Sequence, residues 1–236
     1  MSTRISAAEP VTALRRIKIV ECGEPLVDFR ELCPEVVFMP PIFKYRRETL
    51  LRLGVAERLH RASLAVPDGY RLGIFEGWRP PHIQRRMYEW SWRRFAERHP
   101  EWSDVQLRRV VNRFTAPPDS KVPPPHSTGG ALDVTLIGED GEVVDFYSPY
   151  ERRDPHAFPF AAPKLSSAAV DHRQILRAAL AAGEITNYPS EYWHYSFGDQ
   201  GWAYRDGHPH AIYGRIEPIG WVPNPDDDTD APLEYA

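Results

Sequence analysis

Apolar residues recur every three or four positions in several stretches, which is the spacing of a helix with one buried face. In residues 48–66, Leu51, Val55 and Leu59 share such a face, and the sequence "PDG" ends the run. Three more helices are predicted by the same pattern and by their end signals. They cover residues 79–99, which begin with prolines suited to a first turn, residues 103–114, with Ser103 as the cap, and residues 166–183, with Gly183 closing the last turn.

Alternation of apolar and polar residues predicts strands elsewhere. These strands cover residues 16–21, 70–78, 131–137, 191–198 and 211–216, and an Asp-Gly pair in residues 139–146 predicts a hairpin. Residues 115–126 contain five prolines, so they are predicted to form an ordered loop. Because most helices come early and most strands late, the predicted fold class is α+β, with helices on one side of a largely antiparallel sheet.

The chain length and composition favour one well-packed domain. The chain has 236 residues, of which 42% are hydrophobic and 12% aromatic, as in globular proteins with a substantial core. We expect a flexible arm at residues 1–15, a single domain at 16–222 and an acidic, proline-rich tail at 223–236. No internal repeat is recognisable.

Charge and hydropathy exclude several kinds of partner. A net charge of −4 predicts no broad attraction to nucleic acid or to anionic membranes. Neither a membrane-spanning run nor the apolar core of a secretory signal is recognisable, so the expected location is the cytoplasm. Two cysteines cannot form a disulfide framework, although a single Cys22–Cys33 bridge stays open. The pattern does not indicate an oligomeric state.

The segment "HSTGGALD" suggests half of a metal site. His126 and Asp133 offer a nitrogen and a carboxylate oxygen, which are ligands that zinc prefers. On a strand, Asp133 would face a cleft while Leu132 and Val134 enter the core. His194 is the candidate third ligand, and a catalytic zinc commonly has three protein ligands.

Two charged residues could supply the rest of a hydrolytic reaction. Glu191 precedes His194 by three residues, so a local turn near Pro189 would be needed for both to reach one site. A carboxylate there would act as general base and then protonate the leaving amine. Arg79, at a predicted strand end, could stabilise the negative oxygen of a tetrahedral intermediate.

Each of these residues also has an ordinary structural explanation. His126 beside three prolines could be a surface loop residue, and Asp133 could be a charge at a sheet edge. His194 could belong to the rim of the core, and Arg79 could be an ion-pair partner. Spacing alone therefore leaves the metal site as one hypothesis among others.

Taken together, these segments resemble the zinc D-alanyl-D-alanine dipeptidases of the VanX type. The family pattern SxHxxGxAxD matches from His126 to Asp133, and the pattern ExWH matches Glu191 to His194. The sequence "GWRP" resembles the segment that carries the family's transition-state arginine. These matches span roughly residues 70–205, in the family's order.

The resemblance implies a fold, a cofactor and a set of roles. The fold would be that of hedgehog-type domains and D-Ala-D-Ala peptidases. His126, Asp133 and His194 would bind one Zn²⁺. Glu191 would be the general base and acid acting on a metal-activated water, and Arg79 would stabilise the oxyanion. The substrate would be D-Ala-D-Ala or a closely related D,D-dipeptide from the cell wall.

Two departures from the family pattern affect the substrate more than the metal. Pro124 replaces the first serine of the pattern, which removes one hydroxyl near the site. The family's MGTxFD segment is not recognisable, and Asp145 in "EVVDF" is the candidate for its acidic residue, which helps hold the substrate's free amino group. Ser127 is a further candidate for substrate binding.

Three alternative functions stay open on these residues. One is a carboxypeptidase or endopeptidase that acts on longer muropeptides. A second is a dipeptidase diverted to another small substrate, which the loss of the serine at position 124 would permit. The third is a zinc-binding module without turnover, as in hedgehog-type domains, but such a module needs neither Glu191 nor Arg79.

Overall fold

A computed structural model of the chain describes residues 9–152, 154–223 and 234. Within these residues the strands are β1 (Lys18–Ile19), β2 (Leu26–Asp28), β3 (Val37–Phe38), β4 (Leu50–Arg52), β5 (Arg71–Glu76), β6 (Ala131–Ile137), β7 (Thr186–Asn187), β8 (His194–Ser196) and β9 (His210–Ala211). The helices are α1 (Val11–Leu14), α2 (Phe29–Leu32), α3 (Leu53–Leu64), α4 (Pro81–Arg98), α5 (Asp104–Val111), α6 (Ser167–Ala182) and α7 (Gln200–Asp206), with 3-10 helices at Pro125–Thr128 and Pro155–Ala157.

The central sheet has the strand order β3-β5-β6-β8-β7. Its first pair, β3 with β5, is parallel, and the other three pairs are antiparallel. Two smaller ladders lie apart from it: β1 pairs with β9 in parallel, and β2 pairs with β4 in antiparallel orientation. The predicted strand at 131–137 is confirmed as β6, with the predicted bounds.

One face of the central sheet packs on helices α3 and α6. Successive side chains of a strand point to opposite faces, and Leu132, Val134 and Leu136 of β6 are all fully buried. They share one hydrophobic core with Leu59 of α3 and Leu176 of α6. The α+β architecture with a largely antiparallel sheet and helices on one side is therefore confirmed, and the opposite face, which carries Asp133, is left for other elements.

The predicted helix at 48–66 begins later than its sequence pattern indicates. Residues 50–52 form β4, whose Leu51 is opposite Val27 of β2, and α3 starts at Leu53. Leu51 is therefore buried as part of a strand and not as part of a helical face. Pairing with β2 and the hydrogen bond from Trp78 N to Leu50 O, 2.8 Å long, outweigh the local helical preference here.

The other predicted helices are confirmed, with small differences at their ends. Ser103 caps α5 in a capping box with Gln106, as its position predicts. Gly183 follows α6, but its φ is −88°, so it does not serve as a left-handed cap. A Cβ at Gly183 would lie 2.3 Å from Arg58 O. Glycine is needed there because the end of α6 approaches α3 closely.

Several other predictions concern the periphery of the fold. The predicted strand at 211–216 is only His210–Ala211, and the hairpin at 139–146 is reduced to a turn with a single bridge, Ile137 to Val143. Cys22 and Cys33 are free, so the possible bridge between them does not form.

The limits proposed for the arm, the domain and the tail stay predictions. The arm at 1–15 is described only from Glu9, where α1 packs against α7. Most of the tail at 223–236 falls outside the described residues. No helix in the described ranges is both long and apolar enough to cross a membrane.

Candidate active site

A row of three polar residues crosses the middle of the central sheet. Glu76 of β5 is opposite Asp133 of β6, and Asp133 is opposite His194 of β8. Directly paired residues on neighbouring strands point to the same face of a sheet. All three side chains therefore lie on the face away from α3 and α6. The pairing of the strands fixes their relative positions.

Glu76 reaches this face because β5 contains a bulge. Ile74 is opposite Val134, whereas Glu76, two residues further on, is opposite Asp133. The extra residue, Phe75, shifts the alternation of β5 relative to β6. In a regular pairing, Phe75 would be opposite Asp133 and Glu76 would share the core face with Ile74, so the bulge brings a carboxylate into the polar row.

His126 is supplied by a different element, the 3-10 helix Pro125–Thr128 at the end of the proline-rich loop. Gly129 ends this helix with φ +69°, a left-handed backbone that glycine adopts without strain. A Cβ at Gly130 would lie 2.6 Å from Phe197 O. The Gly-Gly pair thus turns the chain from His126 into β6 and lets it approach β8 closely.

The His126, Asp133 and His194 side chains form a buried cluster. His126 Nε2 lies 3.3 Å, and His194 Nδ1 2.9 Å, from Asp133 Oδ1. One ligand atom from each residue lies within 4.8 Å of the others. Tetrahedral zinc, with bonds of about 2.1 Å, places its ligand atoms about 3.4 Å apart. The two separations of 2.9 and 3.3 Å lie slightly below that value and the third is no more than 4.8 Å, and the two nitrogens and one oxygen are donors that fit Zn²⁺.

The orientation of both histidines leaves nitrogens pointing into the cluster. His126 Nδ1 lies 2.8 Å from Gly77 O. A carbonyl oxygen only accepts hydrogen bonds, so Nδ1 carries the proton and the lone pair of the neutral ring is on Nε2, toward Asp133. Although burial opposes ionisation, the two histidines hold the pKa of Asp133 well below its usual range, so the cluster keeps its carboxylate.

Glu191 lies in the connection between β7 and β8. Its backbone N–H donates to Tyr188 O at 2.9 Å, and His194 N donates to Glu191 O at 3.2 Å. The chain therefore turns where the sequence requires a turn for both residues to face one site. Burial raises the pKa of Glu191 to about 7, and the charges of Asp133 and Glu9 add to the rise, while His194 and Arg79 oppose it.

Arg79 is held rigidly at the start of α4. Its Nε donates to Glu76 Oε1 at 2.9 Å, Nη2 donates to Glu76 Oε2, and Nη1 donates to Gln84 Oε1 at 2.8 Å. Glu76 also accepts from the Tyr45 hydroxyl at 2.5 Å. Arg79 N donates to His126 O, which ties the arginine to the ligand segment. Although burial opposes it, the Glu76 carboxylate raises the pKa of Arg79, so the guanidinium stays charged.

A buried arginine, Arg52, supports the turn that carries His126. Its side chain is 1% exposed. Nε donates to Thr128 O at 2.9 Å, Nη1 donates to Glu24 O at 2.6 Å, and Nη2 pairs with Glu21 at 3.0 Å. A loop that lacks a ladder of backbone hydrogen bonds is thus fixed by the fork of one side chain.

A second buried arginine, Arg173 of α6, supports the loop beside Glu191. Its guanidinium donates to the carbonyl oxygens of Phe146, Ala157, Pro159 and Phe160, at 2.6 to 3.2 Å. Phe160 N in turn donates to Pro189 O at 3.0 Å. The connection that holds Glu191 therefore rests on a loop which Arg173 organises.

The two candidate substrate-binding residues have other partners in the described part of the chain. Asp145 Oδ1 accepts from Tyr147 N and Ser148 N, and its Oδ2 accepts from Ser166 Oγ at 3.3 Å. Against the cost of burial, these hydrogen bonds lower the pKa of Asp145. The Ser127 hydroxyl donates to Pro124 O at 2.6 Å. Substrate binding by either residue stays a prediction.

Glu76 is a residue of this site that the sequence patterns did not single out. A signal for it exists, since Glu76 precedes Arg79 by three residues in "EGWRP". The alternation of β5 nevertheless assigns Glu76 to the core face with Leu72 and Ile74. Only the bulge at Phe75 reverses that assignment, and a bulge has no clear sequence signature here.

A cluster of three side chains that could hold a metal, near a carboxyl group whose pKa is raised, is an arrangement typical of metallopeptidases. The chain belongs to the D-ala-D-ala dipeptidase family, a metallopeptidase family whose sequence profile matches residues 42–213. The matched range contains His126, Asp133, Glu191, His194 and Arg79.

Three curated relatives carry the name D-alanyl-D-alanine dipeptidase. The protein from Synechocystis sp. is 28% identical, over 88% of this chain and 98% of its own. The Escherichia coli protein is 23% identical, over 72% of this chain and 77% of its own. The Enterococcus faecium protein is 26% identical, over 62% of this chain and 72% of its own. Among solved structures, that of the LdcB LD-carboxypeptidase has a TM-score of 0.44 at 15% identity, over 83% of this chain and 81% of that one.

Proposed function

We propose that this protein is a zinc metallopeptidase that hydrolyses D-Ala-D-Ala or a closely related D,D-dipeptide. The observation that carries the proposal is the buried cluster of His126, Asp133 and His194, whose ligand atoms lie within 4.8 Å of one another. Membership of the D-ala-D-ala dipeptidase family supports the reaction class. The names of the three relatives support the choice of dipeptide.

His126 Nε2, His194 Nδ1 and an Asp133 carboxylate oxygen would hold the metal. Three protein ligands leave a fourth position open, as in catalytic rather than structural zinc sites. When bound, Zn²⁺ supplies Lewis-acid polarisation of the scissile carbonyl and increases the acidity of a water molecule. The hydrogen bond from His126 Nδ1 to Gly77 O, 2.8 Å long, keeps the ring in the orientation that a ligand needs.

Glu191 would move the proton. Its carboxylate accepts the proton of the attacking water, holds it and then delivers it to the amine that leaves. A group that both accepts and donates works best when its pKa lies near the working pH. Burial, which raises the pKa of Glu191 to about 7, suits it to both steps.

Arg79 would stabilise the carbonyl oxygen as it becomes negative. Among the described residues, its hydrogen bonds to Glu76 and Gln84 use three of the five N–H donors of a guanidinium, which leaves two for substrate. Because Glu76 and Gln84 fix the fork before substrate arrives, little reorganisation is needed in the transition state.

The substrate test is a panel of peptides assayed with Zn²⁺ present. It compares D-Ala-D-Ala with D-Ala-D-Ser, L-Ala-D-Glu and L-Ala-L-Ala, and includes a tripeptide that ends in D-Ala-D-Ala. We expect D-Ala-D-Ala to be cleaved at the highest kcat/KM. Equal cleavage of the tripeptide would favour a carboxypeptidase, and preference for another dipeptide would favour a diverted enzyme.

The metal test is chelation followed by restoration. A chelator should abolish hydrolysis because the carbonyl loses its polarising metal, and stoichiometric Zn²⁺ should restore it. Metal analysis of the restored protein should give one zinc per chain. Hydrolysis that persists in metal-free protein would contradict the zinc mechanism. A zinc-loaded protein that hydrolyses none of the peptides would favour the binding module.

A further inference from the structure

Arg205 of α7 spans the two strands of the β7–β8 hairpin. Its Nη2 lies 2.9 Å from Thr186 Oγ1 and 2.7 Å from Ser196 Oγ, and its Nε lies 3.1 Å from Thr186 Oγ1. Thr186 and Ser196 are directly paired in the sheet. One guanidinium therefore links a residue of β7 to its partner on β8 through side chains, in addition to the backbone ladder.

These contacts are on the same face of the sheet as the candidate metal ligands. Ser196 follows His194 by two residues on β8, and residues two apart on a strand point to the same face. His194 is opposite Asp133 in the neighbouring strand. Arg205 therefore contacts the hairpin at Ser196, the next residue after His194 on the same face of β8.

The far end of the same hairpin carries Glu191. Asn187 Nδ2 donates to Glu191 O at 2.9 Å and to His194 O at 3.1 Å, which closes the connection between the strands. Arg205 fixes the strand pair on one side of this connection. The positions of Glu191 and His194 therefore depend on the geometry of a hairpin whose strands have only two and three residues.

Glu9 supplies the negative charge that Arg205 needs. The Arg205 and Glu9 side chains are each 10% exposed, and Nη1 of Arg205 donates to Glu9 Oε1. The other hydrogen-bond partners of Arg205, on Thr186 and Ser196, are neutral. A buried guanidinium without a counter-ion is strongly unfavourable. A Cβ at Gly201 would lie 2.7 Å from Glu9 Oε2, so α7 has a glycine where the carboxylate packs.

We propose that Arg205 is a positioning residue for Glu191 and His194, and that Glu9, from the N-terminal segment, holds Arg205 in place. The inference rests on the proposed function of the same site. Glu9 precedes the first residue matched by the family profile, residue 42. The N-terminal segment is therefore part of the machinery of the site and not only a lead-in to the domain.

The test compares wild type with Arg205→Lys and Glu9→Gln. Lysine keeps the charge but cannot reach both strands with a fork. Glutamine keeps an oxygen near Arg205 but removes the charge. Glu184→Gln is the matched control, because Glu184 pairs with Arg58 and Arg61 and its side chain is 67% exposed. Each protein is measured for zinc affinity against a chromogenic chelator, for kcat and KM with D-Ala-D-Ala, and for the visible spectrum of the cobalt-substituted form.

Both test variants should lower zinc affinity and kcat by about 10-fold or more, as loss of supporting groups around a metal does. KM should change little, and the cobalt spectrum should shift because His194 moves. Glu184→Gln should match wild type in all three measurements. Unchanged zinc affinity, kcat and cobalt spectrum in Arg205→Lys would overturn the positioning role. The same result in Glu9→Gln would overturn the role of Glu9.

Two further outcomes keep the test decisive. If Arg205→Lys fails to fold, as judged by circular dichroism, Glu9→Gln decides, since it retains the arginine fork. Wild-type protein that neither binds zinc nor cleaves any peptide would contradict the proposed function instead. In that case amide hydrogen exchange in residues 187–196 still tests whether Arg205 and Glu9 hold the β7–β8 hairpin in place. It should be faster in Glu9→Gln than in wild type, and equal rates would overturn the inference.

Discussion

The candidate site has two halves that are held in different ways. Asp133 and His194 lie on paired strands, where the register of the sheet fixes one opposite the other. His126 and Glu191 lie on a 3-10 turn and a strand connection. The strand half is placed by backbone pairing, to which the Arg205 side chain adds, whereas the loop half depends mainly on hydrogen bonds from buried groups such as Arg52 and Arg173.

This difference shows how a peptidase site can combine rigidity with irregular geometry. A strand offers positions only at fixed intervals, and its side chains alternate between faces. A loop can place a group anywhere, but it must be ordered by other contacts, which cost conformational entropy. Here two members of the candidate metal cluster, Asp133 and His194, come from strands, while the third, His126, and the candidate proton-transfer group, Glu191, approach from loops.

The strand half should control the metal itself. Asp133→Ala removes a ligand and leaves two histidines, so we expect zinc content to fall from one per chain to near zero and hydrolysis to be lost with it. Metal analysis after dialysis, with activity measured in parallel, checks the result. Asp68→Ala, in the exposed turn after α3, is the control and should retain full zinc. Full zinc content in Asp133→Ala would remove Asp133 from the ligand set.

Glu191, in the loop half, should control the rate with the metal in place. Glu191→Gln keeps the shape of the side chain but cannot accept a proton, so kcat should fall by roughly 10²–10⁴-fold, the usual contribution of a general acid–base group. Zinc content should stay at one per chain. Glu97→Gln, on the exposed surface of α4, serves as the matched control. Near-normal kcat in Glu191→Gln would show that another group moves the proton.

The two halves should also differ in how pH affects the stability of the metal-free protein. The pKa of Glu191 is raised from 4.5 to about 7, so the folded state binds this proton more tightly than the unfolded state. The free energy of unfolding should therefore fall as pH rises from about 4.5 through 7, by at most about 3 kcal/mol. The pKa of Asp133 is lowered, so its contribution is lost only as pH falls below 3.8.

Urea unfolding of chelated protein at pH 5 and pH 8 measures this effect. Between pH 5 and pH 8 the free energy of unfolding should fall more in the wild type than in Glu191→Gln, because glutamine cannot ionise at that position. An identical pH dependence in the two proteins would mean that ionisation of the buried Glu191 does not lower the free energy of unfolding. The effect is the smallest of the three because it changes only one ionisation.

The strand half was largely predictable from sequence, and the loop half was not predictable from patterns alone. Alternation in residues 131–137 placed Asp133 opposite to the core, and the structure has the same strand bounds. Residue type and spacing made His126 and Glu191 candidates, but it was the resemblance to a family that joined them into one site. Their irregular segments follow no periodic pattern, so periodicity carried no information about where their side chains point.

Three features could not be read from the sequence for physical reasons. The strand at residues 50–52 depends on pairing with β2, a contact that local helix preference does not reveal. The Asp145 carboxylate accepts hydrogen bonds from Tyr147 N and Ser148 N in its own loop, and these bonds form only in the folded turn. Glu9 and Arg205 are separated by 196 positions, and nothing in either segment indicates the other.

The bulge in β5 makes the register of that strand a part of the chemistry. If β5 paired regularly with β6, Phe75 would be opposite Asp133 and the Glu76 carboxylate would point toward the face of Ile74 and the hydrocarbon core. Arg79 would then lose the anion that orients it. Deletion of Phe75 would instead place Glu76 directly after Ile74 and still opposite Asp133. A change that straightened the strand would therefore disable the site while leaving every charged residue of it intact.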